Sequence, residues 1–315
     1  MSEPTDSEKQ RLSELILPPA IYSGYEAAEK AGIEEEIAMR VWGAIGMAHI
    51  DPSVVAFNDR DVDALRTVAM FLKSGYPIEN ILVVSRLLGR VMSRVTDAQV
   101  RALVDRIGSE ARTDELATGI ERIVEVTPAT LGYIFRRHLW AAVQHLPEGR
   151  GEEAHLMVSV GFVDLVSFSR ISDEVEEKDL TALVTLFEEL VLNACVEAGV
   201  RLVKSLGDAV MFVAPDADST LRAAVAIIDR VQQHDDLPKV RAGLDFGGVV
   251  TVGGDYFGRP VNVASRITGY ARAGSIMFSE GFREALTEEY DVVRLGPRRL
   301  KNLGLVSLYR LRKAP

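Results

Sequence analysis

At 315 residues the chain is long enough for two domains of roughly 150 residues each. Its 47% hydrophobic and 26% charged residues exclude a largely disordered, collagen-like or coiled-coil protein. With 36 Lys plus Arg against 46 Asp plus Glu, the formal charge is −10, a field that repels nucleic acid and anionic lipid. An anionic ligand therefore has to be captured locally, by a metal or a few placed cations.

The amino terminus, MSEPTDSEKQRLSEL, lacks a basic stretch followed by an apolar run, and no later segment offers the roughly 18 uncharged apolar residues of a spanning helix. The expectation is a soluble, cytoplasmic protein with no membrane span. Up to Leu146 the apolar residues recur at helical spacing: Ile81, Val84, Leu87, Leu88 and Val91 form one stripe, and Ile120, Ile123 and Val124 another. This half reads as all helix. The texture changes at LPEGRGEEA, Leu146 to Ala154, a stretch of Pro, Gly and charge. The boundaries expected are 1–146 for a helical domain, 147–154 for a linker and 155–315 for a second domain.

The second domain alternates short β-rich runs with amphipathic segments. LMVSVGFVDLV (Leu156 to Val166) reads as a buried strand, and Ser172 to Ala198 as a helix opened by Ser172 or Asp173 with Glu176 as capping-box partner. Cys195, the single cysteine, lies in that helix, which rules out an intrachain disulfide and reads as small buried core. RLVKSL and AVMFVA are two strands separated by Gly207 and Asp208, the signature of a tight hairpin of type II′. A helix (Ser219 to Gln233), a strand (Val240 to Phe246), a helix (Val261 to Ala271), a strand (Ser275 to Ser279) and a pair near Tyr290 to Arg294 and Ser307 to Leu311 follow. Strand, helix, strand, strand, helix, strand is the order of the ferredoxin-like βαββαβ unit, so the fold class is α+β.

Chemistry concentrates in three places. Asp164 interrupts the apolar run GFVDLVSF, where an unpaired carboxylate is costly. Asp208 sits at the hairpin tip, which a ferredoxin-like unit brings close to the end of the first strand. Convergent carboxylates with no His or Cys nearby favour a hard cation, Mg²⁺ or Mn²⁺; taken singly, each Asp also reads as a turn or strand-end residue. Lys204, in the same hairpin, reads either as a snorkelling lysine or as a cation presented at the rim. In DYFGRPVNVASRI, Asn262 and Arg266 are four apart on a predicted helix and share one face, suited to a ribose oxygen and a phosphate or equally to an ordinary polar surface.

FVDLVSFS, then KSLGD, then DYFGRPVNVASR, in this order and on this strand–helix pattern, resembles the class III nucleotide cyclase catalytic domain over about 160 residues, from His155 to near Arg312. The resemblance implies an adenylate cyclase that converts ATP to 3′,5′-cyclic AMP and pyrophosphate. It places Asp164 and Asp208 on two metal ions per active site, Lys204 and Asp255 on the adenine, and Asn262 and Arg266 on the ribose and the transition state. Lys301, in RRLKNLG, is similar to the lysine that contacts the terminal phosphates, although the usual LKG has become LKN. Guanylate cyclases of the family usually carry Glu and Cys where this chain has Lys204 and Asp255. Because metal-binding and base-binding residues of one site come from different subunits in this family, a chain with both sets implies a homodimer. A second departure is Ser167, where the family often has Gly. The rival readings are a guanylate cyclase and a catalytically silent, nucleotide-binding sensor.

YSGYEAAEKAGIEEEIAMRVWGAIGMAHID, FNDRDVDALRTVAMF and VSRLLGRVMSRVTDAQV resemble the helical regulatory domain that precedes the catalytic domain in a group of actinobacterial cyclases; the first also resembles a helix-turn-helix. Residues 1–70 hold 13 acids and 6 bases, a net of −7 that opposes binding to DNA. Acid pH and a lipid-like or small apolar ligand are the signals the resemblance implies for such a domain. His138, His145 and His155 flank the interdomain stretch, where histidines titrate near neutral pH.

Overall fold

The computed structural model describes residues 12–47, 50–108, 113–144, 156–168, 170–171 and 175–313. Two compact units divide the chain, Met1–Arg150 and Gly151–Pro315.

In the first unit, helix α1 (Gly24–Ala31) starts at a capping box: the Ser23 hydroxyl accepts from the Glu26 N–H while the Glu26 carboxylate accepts from the Ser23 N–H. It stops at Gly32, whose φ of 70° needs no Cβ relief. Helix α2 (Glu35–Ala44) follows, and α3 (Asp59–Lys73) opens on a second capping box between Asn58 and Asp61. To these helices the structure adds a short antiparallel pair, β1 (Tyr22–Ser23) with β2 (Val55–Phe57). The pair brings Phe57 onto Trp42, rings stacked with centroids 4.0 Å apart, over Ala27, Ala28, Ala31, Val62 and Leu65. Two long helices complete the unit, α4 (Ile78–Ile107) and α5 (Thr113–Gln144), the latter with Pro128 inside it. The expected stripe on α4 is helical in period, but Val84, Leu88 and Val91 are exposed in this unit, while Leu82, Ser85 and Leu103 are the buried positions of the helix.

The second unit is built on β3 (Leu156–Leu165), α6 (Glu177–Glu197), β4 (Arg201–Ser205), β5 (Ala209–Ala214), α7 (Ala217–Gln232) and β6 (Val240–Val252). Sheet order β4-β5-β3-β6, with every neighbour antiparallel, is the ferredoxin-like arrangement. Strand β7 (Asp255–Phe257) folds back on the far end of β6, then helix α8 (Arg259–Tyr270) leads to β8 (Ile276–Ser279), parallel to β6. Helix α9 (Glu280–Ala285) and the pair β9 (Asp291–Leu300) and β10 (Gly304–Lys313) extend the sheet beyond β8. Helix α6 begins later than expected, with Glu176 as N-cap and no side-chain cap bond; the expected caps Ser172 and Asp173 lie outside the described residues.

Alternation sorts the strand residues between two faces. Val163, Leu165, Val210, Phe212 and Leu244 pack on Phe187, Val191 and Cys195 of α6 and Leu221 and Ile227 of α7. Val160, Phe162 and Met211 pack on the other face with Ala264 of α8. Helix α8 presses onto β6 only because Gly243 has no side chain: a Cβ there would stand 2.3 Å from the Thr268 nitrogen and 2.4 Å from the Ala264 oxygen.

Candidate functional site

Asp164 lies in β3 beside β5 and β6, in register with Ala209 and Arg241. Gly207 takes a φ of 75° at the hairpin turn, and the Leu206 N–H donates to the Ala209 carbonyl at 2.6 Å. That tight return carries Asp208 back to β3, where the Asp208 carbonyl accepts from the Leu165 N–H at 2.9 Å. Two carboxylates 44 positions apart are thereby brought together. Arg241 donates to Asp164 Oδ2 from Nε at 3.0 Å and from Nη2 at 2.6 Å. The Asp164 pKa is nonetheless raised: burial dominates, Arg241 pulls it down, and Asp208 pushes it up again.

Lys204 and Asp255 meet across 51 positions, Nζ to Oδ2 at 2.5 Å, with Asp255 Oδ1 accepting from the Tyr256 N–H. A register shift between Leu202 and Lys204 aims the ammonium toward β7 rather than along the strand to Asp208. Both side chains are about one-third exposed, so the pair is reachable. Asn262 and Arg266 lie exposed on one face of α8, and neither makes a side-chain hydrogen bond or ion pair among the described residues. Lys301 is exposed in the β9–β10 turn, likewise without such a partner, and is not joined to the other site residues. Among the described residues no hydrogen bond or ion pair connects the Asp164–Asp208 pair to the Lys204–Asp255 pair.

Both departures from glycine in the cyclase pattern fall on left-handed backbone. Ser167 has a φ of 64° and Asn302 a φ of 65°, which explains why glycine is usual at each and why Asn replaces it with least strain. Two charged residues escaped the sequence reading. Arg241 and Asp245 both sit inside the strand VRAGLDFG, and a charge in a central strand signals a buried partner. Asp245 is buried, accepts from the Ser279 hydroxyl, and burial pushes its pKa up to about 6 against the pull of Ser279, the Phe246 N–H and Arg259. Of the histidines, His138 is exposed on α5, and His145 and His155 lie outside the described residues.

The donor set fits a hard divalent cation: two carboxylates, no nitrogen or sulfur, at the open end of a strand. Among the described residues no group of three or more His, Cys, Asp and Glu side chains is placed to hold a metal. No helix among the described residues is long and apolar enough to cross a membrane.

Residues 151–313 match the adenylate and guanylate cyclase catalytic domain, and residues 19–145 match the adenylate cyclase regulatory domain. An adenylate cyclase of Streptomyces coelicolor is 32% identical over 290 residues, 89% of this chain and 76% of that protein. A pH-sensitive adenylate cyclase of Mycobacterium tuberculosis is 31% identical over 310 residues, 92% of this chain and 78% of that protein. An adenylate cyclase of Streptomyces griseus is 32% identical over 294 residues, 90% of this chain and 73% of that protein. With both domains matched and relatives aligned along nearly the whole chain, this protein belongs to the class III adenylate cyclases of the actinobacterial type, a phosphorus–oxygen lyase with a helical regulatory domain ahead of its catalytic domain.

Proposed function

We propose that the chain forms cyclic AMP and pyrophosphate from ATP at two equivalent sites, each shared between the subunits of a homodimer, with two Mg²⁺ or Mn²⁺ ions per site. The observation that supports it best is the split within one chain. Asp164 and Asp208 form one cluster and Lys204 and Asp255 another, while Asn262 and Arg266 make no side-chain hydrogen bond or ion pair among the described residues. Two half-sites that do not meet within a chain are completed by a second copy in a two-fold arrangement.

Bound at this site, divalent ions would activate the ribose 3′-hydroxyl and neutralise the phosphates. Asp164 and Asp208 hold them. Asp255 accepts from the adenine amino group and Lys204 donates to a ring nitrogen. Guanine presents an acceptor where adenine presents that donor, so the pair favours ATP over GTP. Asn262 fixes the ribose, Arg266 places positive charge where it develops on the α-phosphate, and Lys301 reaches the terminal phosphates. The helical domain, 1–146 through the linker 147–154, sets the activity of 155–315. Its signal is pH or a lipid-like ligand acting through the interdomain stretch that His138, His145 and His155 flank, and the site of action is the cytoplasm.

The test is complementation. Asp208→Ala and Arg266→Ala are each inactive; mixed in equal amounts they recover about a quarter of wild-type cyclic AMP formation, since random pairing makes half the dimers mixed and each mixed dimer has one intact site. A mixture as silent as its components refutes the shared site. GTP in place of ATP in the same assay, with Mn²⁺ and then Mg²⁺, decides base preference. A pH profile unchanged by replacing the three histidines with Asn, or by truncation before Gly151, removes the regulatory part of the reading.

A further inference from the structure

Arg241 stands opposite Asp164 between two interior strands, where a guanidinium persists only if its charge and its N–H groups are met. Nε and Nη2 both donate to one carboxylate oxygen, Asp164 Oδ2, at 3.0 and 2.6 Å. Nη1 donates to the Gly269 carbonyl, in the last turn of α8, at 3.2 Å. One rigid planar group therefore ties the strand that carries Asp164 to the helix that carries Asn262 and Arg266. Both bonds to Asp164 fall on Oδ2, so Oδ1 receives none from Arg241. It also supplies the one cation paired, among the described residues, with either member of the Asp164–Asp208 couple.

We propose that Arg241 is the resident counter-cation and positioning residue of the carboxylate pair, a charge with which an incoming divalent ion competes and a fork that keeps Asp164 and α8 in one register. The proposal rests on the reading of Asp164 and Asp208 as metal ligands. It separates two properties that a purely scaffolding arginine would lose together. Charge governs how tightly the bare ion binds, and fork geometry governs turnover. Removing the charge strengthens ion binding and removing the fork slows the reaction.

The full-length protein is titrated with Mn²⁺ in the absence of nucleotide, following free Mn²⁺ by electron paramagnetic resonance, and kcat and KM for ATP are measured on the same preparations. Arg241→Gln binds Mn²⁺ roughly tenfold more tightly, the scale of one lost neighbouring charge at a partly buried site, while kcat falls at least about tenfold with KM little changed. Arg241→Lys keeps the charge and loses the fork, so its Mn²⁺ affinity stays within about threefold of wild type while kcat still falls. Mn²⁺ affinity unchanged or weakened in a folded Arg241→Gln overturns the proposal, as does wild-type kcat in Arg241→Lys; should the Gln variant not fold, the Lys variant decides alone. Asp164→Asn in the same titration separates the two readings. If it binds Mn²⁺ as wild type does, the metal-ligand reading falls and this proposal with it; if it loses Mn²⁺ while Arg241→Gln behaves as wild type, only the proposal falls.

Discussion

Replacing Gly243 with Ala should cost the enzyme both stability and turnover. The added Cβ would lie 2.3 Å from the Thr268 nitrogen, 2.4 Å from the Ala264 oxygen and 2.5 Å from Thr268 Oγ1, where ordinary contact begins at 3.4 Å. Two of those three atoms are helix backbone and cannot rotate away, so α8 has to retreat by about 1 Å or β6 has to bend. Overpacking a close-packed core costs about 1–3 kcal/mol, and backbone on both sides of the clash puts this case at the upper end. For a domain of this size about 3 kcal/mol lowers Tm by roughly 6–12 °C. Because α8 also carries Asn262 and Arg266, a 1 Å retreat should depress kcat by about 100-fold even where the protein stays folded. Thermal unfolding and steady-state kinetics on the same sample read both effects. A Tm within about 2 °C of wild type with unchanged kcat would refute the argument that this glycine exists for helix approach.

Ser167→Gly removes left-handed strain of about 1–2 kcal/mol and gives back about 0.5–1 kcal/mol of backbone entropy, so Tm should rise by a few degrees; a fall would show that the Ser167 side chain contributes more than its backbone costs. Burial raises the Asp245 carboxyl to about 6, above its unfolded value, so folding stability should decline as pH rises from about 4 past 6 and level off above that. Asp245→Asn should flatten this decline in denaturant titrations across the window, and a slope that persists would place its origin elsewhere. Lys204→Glu turns the 2.5 Å ion pair into a repulsion with Asp255 and should lower kcat/KM for ATP by about 100-fold or more, with a smaller loss for GTP; equal losses for both nucleotides would mean that the pair does not read the base.

Much of the catalytic unit was legible because its β-rich runs are marked off by Gly and Pro and differ in burial. The run around Asp164 stands out as a buried strand interrupted by one carboxylate, and Gly207–Asp208 between two β-rich runs defines a hairpin from local chemistry alone. What stayed hidden depends on register. Nothing local to VRAGLDFG says that Arg241 faces Asp164 77 positions earlier, since a shift of one residue would send it to the opposite face. The bulge before Lys204 is equally silent in RLVKSL, where the residue reads as readily as a snorkelling lysine as a cation at the rim. Ser167 carries its left-handed backbone with no glycine to announce it. In the helical unit, periodicity found α4 but not the direction of its stripe, because an apolar face has the same spacing whether its own unit covers it or not.

That uncovered character is most pronounced at the end of α5. The contacts it makes with α4, Gly119 against Leu103 and Gln99 to Thr127, lie before Pro128, which interrupts the helical hydrogen-bond ladder. Beyond the proline, Tyr133, Ile134, Phe135, Leu139, Trp140 and Val143 are all exposed. A helical stretch of about fifteen residues held by its own hydrogen bonds is marginal in water. The chain should therefore keep two clocks: amide exchange in β3 and β6 times global unfolding, whereas the segment beyond Pro128 opens locally and exchanges sooner, and it slows with rising concentration if another protein molecule covers its exposed face.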